Sequence, residues 1–219
     1  MVSDDQAPPV DRPNLSKDYL AGKAPEDWIP LRGDKFYSKN NIDLRLNTKA
    51  ASIDARSGEV VLADGARTPY DRLLLATGAE PVRLTMPGAN LPHVHTLRSF
   101  ADCKAIIERA TTAQRAVVLG ASFIGLEVAA ALRSRDIEVH VVAPEKRPME
   151  RVLGPQMGDF IRALHEENGV VFHLEDTASS IDGSKVKLSS GDTLAADFRR
   201  RRHRRATADR ACRNGGAHR

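Results

Sequence analysis

Two stretches of the chain repeat one another. Ile42, Leu44, Leu46, Ser52, Ile53 and Asp54 recur 128 positions later as Val170, Phe172, Leu174, Ser180, Ile181 and Asp182. After a slip of two residues, Leu62, Gly65 and Asp71 recur 126 positions later as Leu188, Gly191 and Asp197. Each copy begins with alternating residues and then meets two turn signals. These are Arg56-Ser57-Gly58 and Ala63-Asp64-Gly65 in the first copy, Asp182-Gly183 and Ser189-Ser190-Gly191 in the second. Period-two alternation punctuated by glycine turns predicts a strand followed by a hairpin meander, twice over. A chain so built holds two related units, or parts of them.

The second unit shows what they are. Ala116-Val117-Val118-Leu119 is a short aliphatic run of buried-strand type, followed by Gly120-Ala121-Ser122-Phe123-Ile124-Gly125 and a helical stretch from about Leu126 to Arg133. Ile137-Glu138-Val139-His140-Val141-Val142 supplies the next strand. Strand, glycine turn, helix and strand make the opening of a dinucleotide-binding fold. The turn departs from Gly-x-Gly-x-x-Gly by placing Ser122 at the second glycine. Serine is small, and its hydroxyl can donate to phosphate; the free N–H groups and dipole of the helix N-terminus favour an anion there. Gly120, Ser122, Phe123, Ile124 and Gly125 are therefore candidate nucleotide-binding residues, the alternative being a plain strand-to-helix turn. An acid bound to the ribose is expected about 20 residues further on. Glu145 follows the strand and fits that place, whereas Lys146, Arg147 and Arg151 are the alternative partners of a 2′-phosphate. The balance favours NADH.

The copies then diverge. The first continues as Asp71-Arg72-Leu73-Leu74-Leu75-Ala76-Thr77-Gly78-Ala79-Glu80-Pro81, read as a buried strand ending in a tight turn, while the second runs into arginines after Phe198. Residues 199–219 hold nine arginines against one acid, Asp209, a net charge of +8, leaving −4 on residues 1–198 of the total of +4. Unpaired buried charge excludes that run from a central strand. If the arginines are CGN codons, a shifted frame reads GNC triplets, which encode only Val, Ala, Gly or Asp. Such a frame yields Val-Val-Val-Gly-Ile-Gly-Val-Arg-Pro in register with the aliphatic strand of the first copy. Residues 199–219 are accordingly expected to be an out-of-frame or disordered tail, the alternative being a genuine nucleic-acid-binding arm.

Composition bounds the remaining classes. Of the 219 residues 41% are hydrophobic and 28% charged, which excludes a disordered polyelectrolyte. No apolar run nears the roughly 18 residues of a membrane span, and the acidic N-terminus lacks a secretory signal, so a cytoplasmic protein without membrane partners is expected. Cys103 and Cys212 make neither a disulfide framework nor a Cys-x-x-Cys pair nor a metal cage.

Several ordered segments carry a family resemblance. Asp11-Arg12-Pro13-Asn14-Leu15-Ser16-Lys17-Asp18-Tyr19-Leu20, Leu74-Leu75-Ala76-Thr77-Gly78-Ala79-Glu80-Pro81, Thr96-Leu97-Arg98-Ser99 and Ser122-Phe123-Ile124-Gly125-Leu126-Glu127-Val128-Ala129-Ala130 resemble successive motifs of the FAD-dependent ferredoxin reductases. Ser122 and Ala143-Pro144-Glu145-Lys146-Arg147-Pro148-Met149 look most like the apoptosis-inducing-factor-like branch with its Rieske-associated bacterial members. The resemblance spans about residues 8–198 and implies an α/β flavoprotein with two dinucleotide-binding, Rossmann-like domains carrying β-meander hairpins. It further implies hydride transfer from NAD(P)H to FAD and electron transfer to an iron–sulfur acceptor of ferredoxin or Rieske type. Residues 1–112 would be a partial FAD domain and 113–198 the NAD(P)H domain.

By position, the resemblance makes Arg12 and Lys17 flavin contacts, with Lys17 near the isoalloxazine ring and paired with Glu127. Those two are the implied catalytic residues. Thr77 and Gly78 would form a turn close to the cofactor, Arg98 a further flavin contact, and the backbone near Ala50 an adenine contact. Read without it, Lys17 and Arg98 are surface charges, Thr77-Gly78 ends a strand, and Glu127 is an acid favoured near a helix start. Asn14-Leu15-Ser16 stands where a redox-cysteine segment is expected in the sister disulfide reductases, so dithiol relay is disfavoured. Since Gly120 precedes Val170 by 50 residues, the matching turn for Ile42 falls before Met1. The fold is thus expected to be incomplete at both ends, with exposed sheet edges. The competing reading is a non-catalytic nucleotide-binding remnant.

Overall fold

The computed structural model describes residues 1–196. The expectations for residues 199–219, for Cys212 and for the repeat position Asp197 lie outside the described residues. Helix α1 spans Asp34–Lys39, and strands β1 (Ala50–Asp54), β2 (Glu59–Leu62) and β3 (Arg67–Pro69) follow. Helix α2 (Phe100–Ala110) leads to β4 (Arg115–Leu119), α3 (Phe123–Arg133), β5 (Glu138–Ala143), α4 (Glu150–Glu167) and β6 (Val170–Leu174). Strands β7 (Ala178–Asp182), β8 (Lys185–Leu188) and β9 (Thr193–Ala195) complete the described chain.

Three three-stranded sheets result: β1-β2-β3 and β7-β8-β9 antiparallel, β4-β5-β6 parallel. The expected βαβ unit is present, with α3 starting three residues earlier than the sequence reading placed it. Val139, Val141 and Ala143 point from β5 into one core with Leu126, Ala129 and Leu132 of α3, all 6% exposed or less. Spacing of three along the helix places those three on one face. Helix α4 is two helices joined at Gly154, whose φ of 79° and following Pro155 interrupt the turn.

The repeat is a structural one. In both meanders the ladder slips at the same place, between Ala50 and Ser52 and between Ala178 and Ser180, where the register passes over one residue. Four residues, 55–58, join β1 to β2, whereas two, 183 and 184, join β7 to β8. The two-residue slip in the repeat is that difference in loop length. Beyond it the copies agree hydrogen bond for hydrogen bond: Gly65 N–H donates to Leu62 at 3.0 Å, and Gly191 N–H to Leu188 at 3.1 Å.

Two strands expected in the first copy do not form. Ile42–Leu46 makes only an isolated bridge, Arg45 to Val2, although its counterpart is β6. Asp71–Pro81 is not a strand, and Leu74 is 87% exposed. A parallel strand buried on both faces needs neighbours on its edges and layers above and below. Among the described residues no strand pairs with this segment. Gly78 has φ at +72°, yet the segment neither turns nor bends there, so the tight turn expected at its end does not form either.

Candidate functional site

The first group of site residues is assembled from four parts of the chain. A 3-10 helix, Arg12–Ser16, carries Pro13 in its first turn and buries Leu15 and Ser16. The buried Cys103 of α2 donates its thiol hydrogen to the Leu15 carbonyl at 3.1 Å, pinning this helix to α2. Helix α2 starts in a capping box: Ser99 Oγ accepts from Asp102 N–H at 3.1 Å, and Asp102 Oδ2 accepts from Ser99 N–H at 2.8 Å. The same carboxylate takes the Arg98 N–H at 3.0 Å, and Arg12 Nη1 donates to the Arg98 carbonyl at 2.6 Å. Arg12 also faces Asp5 at 3.6 Å. The Arg98 guanidinium lies against Gly78, where a Cβ would stand, and the φ of +72° at Gly78 favours glycine there.

Glu127 closes the group from α3. Lys17 Nζ lies 3.4 Å from Glu127 Oε1, as the sequence resemblance implied. Ser16 Oγ donates to the other carboxylate oxygen, Oε2, at 2.5 Å. The structure thus brings together Arg12, Lys17, Gly78, Arg98 and Glu127. Thr77 is exposed beside Gly78. Ala50 opens β1, paired with Leu62, and is not part of this hydrogen-bonded group. Ser16, Asp5 and Asp102 are additions the sequence reading did not make. The spacing Ser99-x-x-Asp102 before an apolar run was the signal that could have found the last of them.

The second group surrounds the N-terminus of α3. Gly120 has φ at +111°, and the space where its Cβ would stand is open. At Gly125 a Cβ would fall on the Gly120 carbonyl, so glycine there lets the helix pack on the turn. Ser122 is the N-cap, and its side chain makes no capping bond, which leaves the first-turn amides without a side-chain acceptor. Phe123 and Ile124 are about half exposed beside them. Glu145 lies just past β5 and faces Arg151 at 3.5 Å, with Arg151 82% exposed. Arg147 is committed to Asp159 at 2.6 Å and Glu150 at 3.2 Å. Lys146 lines a cavity of about 380 Å³ bounded by Arg162 and Phe172.

Helix α3 joins the two groups. Its first turn carries the glycine motif, and two residues past Gly125 stands Glu127, gripped by Ser16 and Lys17. Burial pushes the Cys103 thiol up to about 11, so it is protonated at neutral pH. Among the described residues no cluster suited to a metal ion is found, and no helix is long and apolar enough to cross a membrane. Tyr19, beside the 3-10 helix, is raised to about 12 by burial and then by its hydrogen bond to Glu26, so it stays a neutral donor.

A family model described as pyridine nucleotide-disulphide oxidoreductase matches residues 1–199. The rubredoxin-NAD(+) reductase of Pseudomonas putida is 38% identical over 90% of this chain and 53% of its own length. Apoptosis-inducing factor 3 of Mus musculus is 33% identical over 86% of this chain and 31% of its own. The ferredoxin reductase for the CYP199A2 system of Rhodopseudomonas palustris superposes with a TM-score of 0.85 at 34% identity, over 90% of this chain and 50% of that one. The chain thus spans about half the length of the two reductases and about a third of the third relative.

Proposed function

Because the chain belongs to the pyridine nucleotide-disulphide oxidoreductase family, we propose that it serves as an NADH-dependent, FAD-containing reductase of the ferredoxin reductase type. The proposed acceptor is an iron–sulfur protein of ferredoxin or Rieske type, and a cytoplasmic setting goes with that reading. The observation that carries it is the double grip on Glu127, which couples a nucleotide-type helix N-terminus to the residues with implied flavin contacts. Hydride transfer needs two such sites side by side.

The residues present fit both groups. Open space at Gly120 and the uncapped first turn of α3 suit a dinucleotide pyrophosphate. Arg12, Lys17 and Arg98 suit the ring end of a flavin, and Gly78 presents backbone without a side chain beside Arg98. FAD, when bound, supplies the conversion between one two-electron and two one-electron transfers. The protein's share is binding and orientation. The amides of α3 and the Ser122 hydroxyl hold phosphate, Glu145 accepts from the ribose hydroxyls, and the ammonium of Lys17 is held in place by Glu127. Arg147 and Arg151 are each turned toward carboxylates, which supports NADH over a nucleotide bearing a 2′-phosphate. By the same reading residues 1–112 serve FAD and 113–198 serve the nicotinamide nucleotide, with the backbone at Ala50 near the adenine.

Adding FAD and then NADH to the purified chain, under exclusion of oxygen, tests the proposal. Uptake of flavin colour followed by bleaching is the expected result. A chain that binds NADH yet takes up no flavin would instead be a nucleotide-binding remnant, a reading favoured by the exposure of Leu73–Leu75.

A further inference from the structure

Ser16 is the one buried polar residue among the described residues, 5% exposed, and the function proposed above gives it no role beyond its contact with Glu127. Its hydroxyl sits 2.5 Å from Glu127 Oε2 and 3.3 Å from the Pro13 carbonyl. A hydroxyl has one hydrogen to give, and the nearer, charged acceptor makes the stronger bond. The next residue, Lys17, takes the other oxygen of the same carboxylate. Two neighbours in the chain therefore hold one glutamate at both oxygens, from a 3-10 helix anchored by Leu15 and Cys103.

We propose that Ser16 is a positioning residue: its hydroxyl fixes the Glu127 carboxylate so that Glu127 in turn holds the Lys17 ammonium. This rests on the reading of Lys17 as the residue beside the flavin ring. Lys17 is 52% exposed and Glu127 30%, and a pair so open to water is weak by itself, because holding two long side chains in one geometry costs rotamer entropy. A buried hydroxyl on Oε2 removes that freedom from Glu127 beforehand. Lys17 then has a fixed partner rather than a wandering one.

Amine-specific labelling of the 219-residue chain, without flavin or nucleotide and mapped by mass spectrometry, tests this independently of cofactor binding. The readout is the labelling rate of Lys17 relative to exposed Lys35, with Lys104 as a local control for folding. Ser16→Ala is expected to raise the Lys17 ratio about threefold, Glu127→Gln to raise it as much, and the double variant no further. Ser16→Thr, which keeps the hydroxyl, returns the ratio toward wild type. A wild-type ratio in Ser16→Ala, or effects of the two variants that multiply, overturns the proposal. Should Ser16→Ala raise Lys104 together with Lys17, the same cycle is read on Ser16→Cys, which preserves size and gives only a weak donor. Failure to take up FAD would count against the function proposed above and leave this result standing.

Discussion

The two meanders share strands, second turn and bulge, yet one is covered and the other is not. Ile181 in β7 is 7% exposed, whereas its counterpart Ile53 in β1 is 42% exposed. The second meander lies against Val117, Leu119 and Val142 of the parallel sheet and against Met86, Leu91 and Val94. No such layer lies over Ile53 among the described residues. The first meander carries instead a charged bridge across its strands, Arg67 to Glu59 at 2.8 Å and to Asp54 at 3.6 Å. At the repeat positions of Glu59 and Arg67 the second copy has Lys185 and Thr193. Hairpin register is thus a local property, set by turns and a bulge, while burial depends on what the rest of the chain brings alongside.

The largest expected difference between the copies is in their equivalent isoleucines, one buried and one exposed. Ile181→Ala should cost about 3 kcal/mol in urea unfolding, and Ile53→Ala under about 1 kcal/mol; equal costs would mean that the first meander is covered in solution. Next in size is Gly125→Ala, which drives a methyl group into the Gly120 carbonyl. It should destabilise the βαβ unit by about 2 kcal/mol and weaken NADH binding in calorimetry, with hydrogen exchange in β1–β3 unchanged.

The smallest effect is a dependence on pH. Burial, as the leading cause, lowers His93, His95, His165 and His173 below the ordinary 6.5, with the neighbouring charge of Arg109 adding to it at His93 and His95 and that of His140 at His173. All four lie after residue 90, outside the first copy. A histidine lowered in the folded state takes up its proton more readily when unfolded. Its stabilisation is present above pH 6.5 and is lost as the pH falls through the folded value, at a slope of at most about 1.4 kcal/mol per pH unit per proton. The urea midpoint should therefore drop between pH 7.5 and 5.5, and hydrogen exchange should loosen in β6 before β2.

Much of this architecture was legible in the sequence because its signals are short-range. Both hairpins and the glycine turn, and each element of the βαβ unit, follow from residues near one another in the chain. Ile42–Leu46 and Leu73–Leu75 were read as strands on equally good local patterns, yet a parallel strand takes its hydrogen bonds from elsewhere in the chain. The Lys17–Glu127 pair spans 110 positions, and only the resemblance to a family pointed to it. Ser16 escaped notice because a serine's donor reach cannot be told from its neighbours; the burial of the 3-10 helix and the facing of α3 decide it.

The unequal hairpin tips carry a record of how the two copies could drift apart. Side chains in a strand alternate with a period of two, so removing one residue from a tip can turn every later side chain from the inner face to the outer. Removing two restores the alternation. The copies differ by two residues at this tip and by none at the next, and Leu62 and Leu188 accordingly remain inward at 5% and 1% exposure. Changes of even length at these tips are the ones such a duplicated fold can accumulate while keeping its inside and outside distinct.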